Sequence, residues 1–186
     1  ESQHVFLDMG FNYLKREHVK ILEIGFGTGL NALLTCLECQ NTDKVVEYTG
    51  IEKYPLSEDI LEKMRYADLL EAEAGELFWK IHNSGWERRH EITPHFSLLK
   101  NKTDFNAHIF DETYDLIYFD AFAPDKQPEM WSQVNFQKLY NCLGKAGVLV
   151  TYSAKGIIKR RLEEIGFQVQ KIPGPPGKRE MIRAVK

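Results

Sequence analysis

The feature that most constrains this chain is a short apolar segment that ends in glycines at alternate positions. Residues 20–24 are mostly apolar, and three glycines follow them: Gly25, Gly27 and Gly29. Apolar residues then recur at helical spacing over residues 30–37, so the pattern predicts a strand, a tight turn and a helix. Glycine lets a backbone approach a ligand, and free N–H groups at a helix start favour polar or anionic atoms. We expect a nucleotide-like ligand across this turn, the plainer alternative being a turn that binds nothing.

The spacing of the glycines separates two classes of nucleotide-binding turn. In the nicotinamide fingerprint G-x-G-x-x-G the third glycine follows the second by three residues, but Leu30 stands there and Gly29 comes earlier. Glu23 is an acid in an otherwise apolar strand, where a carboxylate seldom stands without a partner. The arrangement E-x-G-x-G-x-G resembles the first motif of class I S-adenosylmethionine-dependent methyltransferases. In that family the turn faces the methionine part of the cofactor.

The charge of the chain is unevenly distributed. The net charge of the 186 residues is −3, which does not favour binding of nucleic acid over the whole surface. Residues 153–186, however, hold nine basic and three acidic side chains, which leaves +6 there and −9 in the remainder. Such a basic face could steer a polyanion to one side of the molecule, although a set of solvated side chains explains it equally well.

Targeting segments and cysteines set the expected environment. No apolar run reaches membrane-spanning length and no signal peptide precedes the predicted fold, so we expect a cytoplasmic protein without a membrane partner. The chain begins at Glu1 rather than Met, as a trimmed sequence would. Cys36 and Cys39 have C-x-x-C spacing but lie inside a predicted helix without a second pair or clustered histidines. We therefore expect buried thiols and no metal site.

Two further acids end predicted strands. Glu52 closes the strand predicted over residues 45–51, and in a doubly wound sheet it would accept hydrogen bonds from both ribose hydroxyls of a nucleotide. Asp104 follows the strand predicted over residues 95–100, where it could accept from an adenine amine or cap the next helix. These positions predict the adenosine side of the ligand site.

Asp120 ends the fourth predicted strand, residues 114–119, and begins a loop rich in prolines and aromatic residues. Such a loop cannot extend the strand and lies at the sheet edge where ligands bind in open α/β sheets. Asp120 is therefore expected to face whatever reacts with the cofactor. Aminopropyl transferases carry an Asp here that holds an amine, whereas the Pro-Pro-aromatic motif of DNA amino methyltransferases is absent.

The remaining periodicity completes a doubly wound pattern. Helices are predicted over residues 5–14 beside the first strand, 57–70, 77–81, 132–143 and 154–165, the third lying in an insertion with no evident chemistry. Further strands are predicted over residues 147–151, 167–172 and 180–185, the last two as an antiparallel edge pair. Between these two lies a stiff Pro-Gly loop ending in Lys178 and Arg179, which suits holding a phosphate or closing over a substrate.

Four segments together resemble the methyltransferase domain of the MnmC family, which modifies the wobble uridine of tRNA. They are G-F-G-T-G-L-N at 25–31, E-K-Y-P-L at 52–56, D-A-F-A-P through P-E-M-W at 120–131, and G-K-R-E-M at 177–181. The resemblance implies a single Rossmann-like α/β domain over residues 1–186. Its sheet would be mostly parallel and seven-stranded, with helices on both faces and an antiparallel C-terminal edge strand.

The resemblance also implies a reaction and partners. The family transfers a methyl group from S-adenosyl-L-methionine to the primary amine of 5-aminomethyl-2-thiouridine in the tRNA anticodon. Its bifunctional members add a flavin-dependent oxidase domain, which these 186 residues could not house. The expected partners are therefore tRNA and either a separate oxidase or the enzymes that install the aminomethyl group.

The chemistry of amine methylation suggests a role for each candidate site residue. The unprotonated amine must approach the sulfonium methyl in line, so positioning and desolvation matter most. Asp120 is the catalytic candidate, more safely an orienter of the amine than a general base, since a carboxylate also stabilises ammonium. We expect Glu23 and Asp120 to enter one common cavity. The expected cofactor residues are Glu23, Gly25, Gly27, Gly29, Asn31, Glu52, Lys53, Asp104 and Asp120, and the expected substrate residues are Phe122, Pro124, Trp131, Lys178 and Arg179.

Two alternatives stay open at this point. The chain could be a methyl or aminopropyl transferase acting on a small amine, with its basic residues merely solvated. It could also be a non-catalytic module that binds S-adenosylmethionine and assists a partner chain.

Overall fold

The computed structural model describes residues 1–64 and 72–186, which build an eight-stranded sheet covered by helices. Each strand ends near a turn signal of the sequence, and the central strands are mostly buried. The strands are β1 (His18–Ile24), β2 (Val45–Glu52), β3 (Arg89–Thr93), β4 (Phe96–Lys102), β5 (Tyr114–Phe119), β6 (Leu143–Thr151), β7 (Gln168–Pro173) and β8 (Glu180–Val185).

The strand order is β3-β4-β2-β1-β5-β6-β8-β7. Strand β1 pairs in parallel with β2 on one side and with β5 on the other. The chain therefore builds the sheet outward from β1 in one direction and then returns to build it in the other. At this reversal the ends of β1 and β5 lie side by side, with Ile24 opposite Phe119. A crevice at such a point is where open α/β sheets bind ligands.

The predicted fold class is confirmed, with one strand more than the seven expected. The antiparallel pair of β7 and β8 forms one edge, as predicted, and β8 is also antiparallel to β6. The additional strand, β3, pairs antiparallel with β4 at the opposite edge, across a register shift near Glu91. Ile92 is the one fully buried residue of β3, so the strand lacks the apolar alternation by which a sequence predicts it.

The helices lie close to their predicted positions. An N-terminal helix with π-type hydrogen bonding, Gln3–Phe11, and a short 3-10 helix, Pro128–Trp131, accompany five α-helices in the described residues. The part of the predicted helix 57–70 beyond residue 64 lies outside those residues. The α-helices are α1 (Leu30–Gln40), α2 (Glu58–Lys63), α3 (Ala72–Asn83), α4 (Gln133–Cys142) and α5 (Gly156–Ile165).

Two apolar clusters, one of them joining the N-terminal helix to α1 and α3 and the other joining α4 to α5, fill the space around the sheet. The N-terminal helix covers β5 and β6 rather than lying beside β1 as predicted. Gly10 permits this approach, because a Cβ atom there would already lie 3.0 Å from Cγ2 of Val150. Phe6 packs on Tyr118 with ring centroids 5.0 Å apart. All three cysteines are buried.

Candidate active site

A cavity of about 690 Å³ opens at the carboxyl ends of the central strands. Its wall is built mainly from four segments: residues 24–28 after β1, 51–54 after β2, 103–106 after β4 and 120–123 after β5. Tyr152, which follows β6, completes one side. A volume in this range suits a ligand of small-molecule size, for which pockets measure roughly 300–1,000 Å³.

The glycine turn lies directly against the loop after β5. The main-chain N–H groups of Gly25 and Phe26 both donate to the carbonyl oxygen of Ile51, at 3.1 and 3.0 Å, which bends the chain away from β1. Gly25 has φ of +90°, and a Cβ atom on it would lie 2.7 Å from the carbonyl oxygen of Asp120. Only glycine fits here without displacing the backbone. The turn and the loop therefore form one continuous wall of the cavity.

Glu52 lines the cavity and also holds the glycine turn. Its Oε2 accepts a hydrogen bond from the N–H of Gly27, and its Oε1 accepts one from the N–H of Tyr54, both at 2.9 Å. A carboxylate offers about four lone-pair directions, so two are left for hydroxyl donors in the cavity. This geometry is compatible with the predicted contact to a ribose.

Lys53 and Asp104 form an ion pair at the mouth of the cavity, which both residues line. Nζ of Lys53 lies 2.8 Å from Oδ2 of Asp104. The pKa of Asp104 is lowered from its ordinary value, first by the hydrogen bond from Lys53 and then by the N–H of Asn106. That N–H donates to Oδ1 at 2.9 Å, so Asp104 also caps the following turn. The sequence offered Asp104 as the cap of a following helix, but in the described residues no helix stands between β4 and β5, so the capped segment is a turn.

A buried hydrogen-bond chain joins β1, α1 and the loop after β5. Nδ2 of Asn31 donates to Oε1 of Glu23 at 2.7 Å and to Oδ2 of Asp120 at 2.9 Å. The hydroxyl of Tyr48 donates to the other oxygen of Glu23 at 2.8 Å. Burial raises the pKa of Glu23 well above its ordinary value, and the nearby charge of Asp120 raises it further.

Glu23 does not face the cavity as the sequence analysis expected. Its side chain is 1% exposed, both carboxylate oxygens bind protein donors, and it is absent from the cavity wall. Glu23 and Asp120 do lie close together, since the Asn31 amide donates a hydrogen bond to each of them. Only Asp120, however, lines the cavity. Glu23 is therefore corrected from a cofactor ligand to a buried support of Asn31.

Asp120 is a partly desolvated carboxylate at the centre of the wall. Burial raises the pKa of Asp120 to about 6, against the lowering effect of the Asn31 hydrogen bond. Glu1 raises this pKa and Lys178 lowers it. At neutral pH the group is mainly ionised, so it can accept hydrogen bonds from an amine and take up a proton.

The loop after β5 presents one aromatic side chain outward and another inward. Phe122 is 73% exposed at the mouth of the cavity, whereas Trp131 is 0% exposed. Nε1 of Trp131 donates to the carbonyl oxygen of Phe122 at 2.8 Å, and its ring packs edge-on against Phe119. The expectation that Trp131 contacts the substrate is therefore wrong, because its indole is buried and anchors the loop from beneath. Pro124 lies in the same loop but outside the cavity wall.

The Pro-Gly loop between β7 and β8 lies beside the cavity without entering its wall. Nζ of Lys178 pairs with Glu1 and lies 4.3 Å from the ring centroid of Tyr152, which lines the cavity. Arg179 is exposed. Tyr152 was not predicted as a site residue, although its hydroxyl donates to the carbonyl oxygen of Ala121 at 2.8 Å.

Helix α3 supports the glycine turn from outside the cavity, which the sequence analysis missed. A ring nitrogen of His82 lies 3.1 Å from the carbonyl oxygen of Thr28. Behind it, the buried Nζ of Lys100 donates to the carbonyl oxygens of Ile81 and His82 at 2.8 Å each, closing the end of α3. Burial lowers the pKa of Lys100 to about 8. No local pattern signals these contacts, because they join residues far apart in the chain.

In residues 1–64 and 72–186 no group of three or more His, Cys, Asp and Glu side chains is placed to hold a metal ion. Within the same ranges none of the helices combines the length and apolar character needed to cross a membrane.

Comparisons with known sequences agree with this architecture. A family model described as S-adenosyl-L-methionine-dependent methyltransferase matches residues 92–186. The chain is 35% identical over 192 residues to the tRNA 5-methylaminomethyl-2-thiouridine biosynthesis bifunctional protein MnmC of Campylobacter hominis, a match covering 99% of this chain and 28% of that protein. It is 32% identical over 174 residues to the protein of the same name from Hydrogenovibrio crunogenus, covering 87% and 25%. The chain thus spans about a quarter of the length of these relatives.

Solved structures share the fold. MnmC2 from Aquifex aeolicus matches with a TM-score of 0.66 at 23% identity, covering 91% of this chain and 54% of that chain. Spermidine synthase from Thermotoga maritima matches with a TM-score of 0.58 at 17% identity, covering 100% and 59%. At these identities the likeness concerns the fold alone.

Proposed function

Since the chain belongs to the family of S-adenosyl-L-methionine-dependent methyltransferases, we propose that it methylates the amine of 5-aminomethyl-2-thiouridine, or its unthiolated form, at the wobble position of tRNA. The observation that carries this proposal is the Asp120 carboxylate on the cavity wall, in a residue whose main chain lies against the glycine turn. The names of the MnmC relatives support the tRNA substrate.

The cavity fits the cofactor that the family uses. The volume of about 690 Å³ leaves room for a nucleoside-sized molecule and part of a second ligand. Glu52 would accept from the ribose hydroxyls, and Asp104 with Lys53 would lie near the adenine. The glycine turn offers a surface without side chains to the methionine part, where Gly25 and Gly27 take positive φ. S-adenosylmethionine supplies a methyl group on a sulfonium centre that an amine can attack.

Asp120 would hold the acceptor amine and receive its proton. A primary amine is mainly protonated in neutral water, and only the neutral form has a lone pair for the methyl group. The new N–C bond forms as the S–C bond breaks, and the nitrogen gives up one proton. Asp120, with a pKa raised to about 6, is mostly free to accept hydrogen bonds at neutral pH. Its burial would also exclude water from the reacting atoms.

Recognition of tRNA would use the rim of the cavity. The exposed ring of Phe122 could stack on a base that is turned out of the anticodon loop, as single-stranded RNA readers do. Lys178 and Arg179 would contact phosphates. We place the reaction in the cytoplasm with its tRNA substrate. A flavin-dependent oxidase, or the enzymes that install the aminomethyl group, would supply the preceding intermediate.

The test is methyl transfer from labelled S-adenosylmethionine to tRNA from cells that lack this methylation, followed by nucleoside analysis. We expect label in 5-methylaminomethyl-uridine or its 2-thio form and none in tRNA that already carries the methyl group. Incubation with free small amines is the matched control. Transfer to small amines alone would contradict the tRNA assignment, and cofactor binding without any transfer would favour the non-catalytic module.

The second candidate, transfer of a methyl or aminopropyl group to a small amine, is favoured by one observation. The lysines nearest the cavity already hold acidic partners: Lys53 pairs with Asp104, and Lys178 pairs with Glu1. An RNA phosphate would have to compete with these carboxylates. The same transfer experiment distinguishes the two candidates.

A further inference from the structure

We propose that Asn31 is a positioning residue that sets the orientation and acidity of the Asp120 carboxylate, with Glu23 and Tyr48 as its buried support. This inference rests on the proposed function for its catalytic consequence. Its physical core, the control of the Asp120 carboxylate by Asn31, can be measured without any substrate.

The two carboxylates fix the orientation of the Asn31 amide. An amide nitrogen has two N–H donors, and Nδ2 of Asn31 lies 2.7 Å from Glu23 and 2.9 Å from Asp120. The opposite orientation would place an amide oxygen against two carboxylates and leave both without a donor. Asn31 is 3% exposed, so water cannot replace these bonds. Both N–H groups are therefore used inside the protein, although Asn31 also lines the cavity and its Oδ1 has no hydrogen-bond partner among the described residues.

The position of Asn31 links the cofactor turn to the catalytic loop. It stands in the first turn of α1, two residues after Gly29, while Asp120 begins the loop after β5. Among the described residues, Asn31 is the one hydrogen-bond donor to the Asp120 side chain. Oδ2 is thereby held, and Oδ1 is left for an amine in the cavity. A change in the turn would move the carboxylate with it.

The buried carboxylate of Glu23 lowers the stability of the fold, and it does not line the cavity. A buried carboxylate requires donors for both oxygens, and replacing buried charges by apolar groups often stabilises a protein. Here Tyr48 and Asn31 supply the donors. Because the nearby charge of Asp120 raises the pKa of Glu23 further, the pair is unfavourable for stability. Fixing the Asn31 amide is the function that this arrangement serves.

Substitutions at the two ends of the amide should act on the pKa of Asp120 through one hydrogen bond. In Asn31→Ala the carboxylate loses the hydrogen bond that lowers its pKa, so the pKa rises above about 6. In Glu23→Gln the side chain can still accept from Asn31, so the hydrogen bond to Asp120 stays and the pKa of Asp120 changes little, whereas Glu23→Ala removes that acceptor, frees the amide and raises the pKa of Asp120. The other charged or titratable groups that face Asp120 are unchanged in these variants: Glu1, Lys178, Tyr48 and Tyr152.

The experiment measures the Asp120 carboxyl titration by ¹³C NMR in protein labelled at aspartate, together with kcat, KM and their pH dependence for methyl transfer. We expect Asn31→Ala to raise the Asp120 pKa and the acid limb of kcat/KM and to lower kcat about tenfold or more, as loss of catalytic alignment does. Glu23→Gln should leave both pKa readings near their wild-type values, whereas Glu23→Ala should raise them. Asn135→Ala is the matched control, since Asn135 is another 3% exposed asparagine whose amide also donates twice, to Asn106 and Glu129.

An unchanged Asp120 titration in Asn31→Ala would overturn the inference, as would an equal rise in Glu23→Gln, which keeps the acceptor of the Asn31 amide. Equal shifts in Asn31→Ala and Asn135→Ala would also overturn it, because they would reflect general loosening. If Asn31→Ala does not fold, the comparison of Glu23→Ala with Glu23→Gln decides the matter, since only the first should raise the pKa of Asp120. Wild-type protein that shows the expected NMR shifts but methylates no tRNA would count against the proposed function and not against the positioning of Asp120.

Discussion

The α-carbon of Gly25 approaches the main chain of Asp120 so closely that a Cβ atom on Gly25 would lie 2.7 Å from the Asp120 carbonyl oxygen. The two residues directly follow neighbouring parallel strands, β1 and β5. The cofactor turn and the loop that carries the catalytic carboxylate therefore share one backbone contact. Any side chain added at Gly25 would separate them.

We predict that Gly25→Ala weakens binding of S-adenosylmethionine and destabilises the protein. The φ of +90° strains an alanine by about 1–3 kcal/mol, and the contact with Asp120 adds to that cost. Calorimetry and urea denaturation measure the two effects. Gly156→Ala is the control, because a Cβ atom at Gly156 meets nothing within 4 Å, and its stability should change by less than about 0.5 kcal/mol. Equal behaviour of the two variants would contradict this account of the turn.

Asp120→Asn should abolish most turnover while leaving cofactor binding largely intact. The amide keeps the shape of the carboxylate but cannot accept a proton from the amine, and loss of a proton acceptor typically costs about 10²–10⁴ in rate. Single-turnover methyl transfer and calorimetry with S-adenosylmethionine measure the two properties. Turnover at the wild-type rate would show that Asp120 does not accept the proton of the amine. It would favour a different group on the cavity wall in that role.

The pH dependence of kcat/KM should contain an acid limb centred near pH 6. Burial raises the pKa of Asp120 to about 6, and the ionised form is the one that holds the amine. As the pH falls through 6 the carboxylate is protonated, so activity should drop about tenfold per unit below that point. Rates measured between pH 5 and 8 in a constant-ionic-strength buffer test this. The residual activity of Asp120→Asn should lack the limb.

Glu52→Gln should weaken cofactor binding by about 10–100-fold, the range expected when charged hydrogen bonds are lost. The carboxylate accepts from Gly27 and Tyr54, and an amide nitrogen in its place would face one of these N–H groups. Calorimetry with S-adenosylmethionine measures the change. Glu129→Gln is the control, because Glu129 also lines the cavity but its carboxylate has no hydrogen-bond partner among the described residues. Equal losses in both variants would argue against a specific role for Glu52.

Trp131→Phe should raise KM for tRNA more than it changes cofactor affinity. The substitution removes the N–H that holds the carbonyl oxygen of Phe122, at a cost of about 1–3 kcal/mol to stability. Without this hydrogen bond the loop would adopt more conformations, so the Phe122 ring would less often be positioned to stack on a base. Steady-state kinetics and thermal unfolding measure these effects. Trp79→Phe on α3 provides the comparison, and a normal KM in Trp131→Phe would separate the indole from substrate binding.

The sequence predicted those parts of the site that depend on local chemistry. Strand β1 and its glycine turn are readable because apolar periodicity and conformational requirements act over a few residues. Glu52, Asp104 and Asp120 were placed at the cavity for a related reason, since the carboxyl ends of parallel strands meet at one edge.

Contacts between distant segments were beyond the reach of the sequence. Whether Trp131 points outward to a base or inward to the core depends on the path of the loop and on Phe119 beneath it. Glu23 was recognised as an acid that needs a partner, but nothing local identifies Asn31 and Tyr48 as the donors. The edge strand β3 went unnoticed because one buried residue makes no pattern.

The inward indole of Trp131 divides the loop after β5 into an anchored half and a variable half. Residues 122–127 lie above the anchor and are exposed or half-buried, so changes to their side chains should disturb the core less than changes to Trp131. To change which amine the protein methylates, one would therefore vary these six positions in a library and leave Trp131 unchanged.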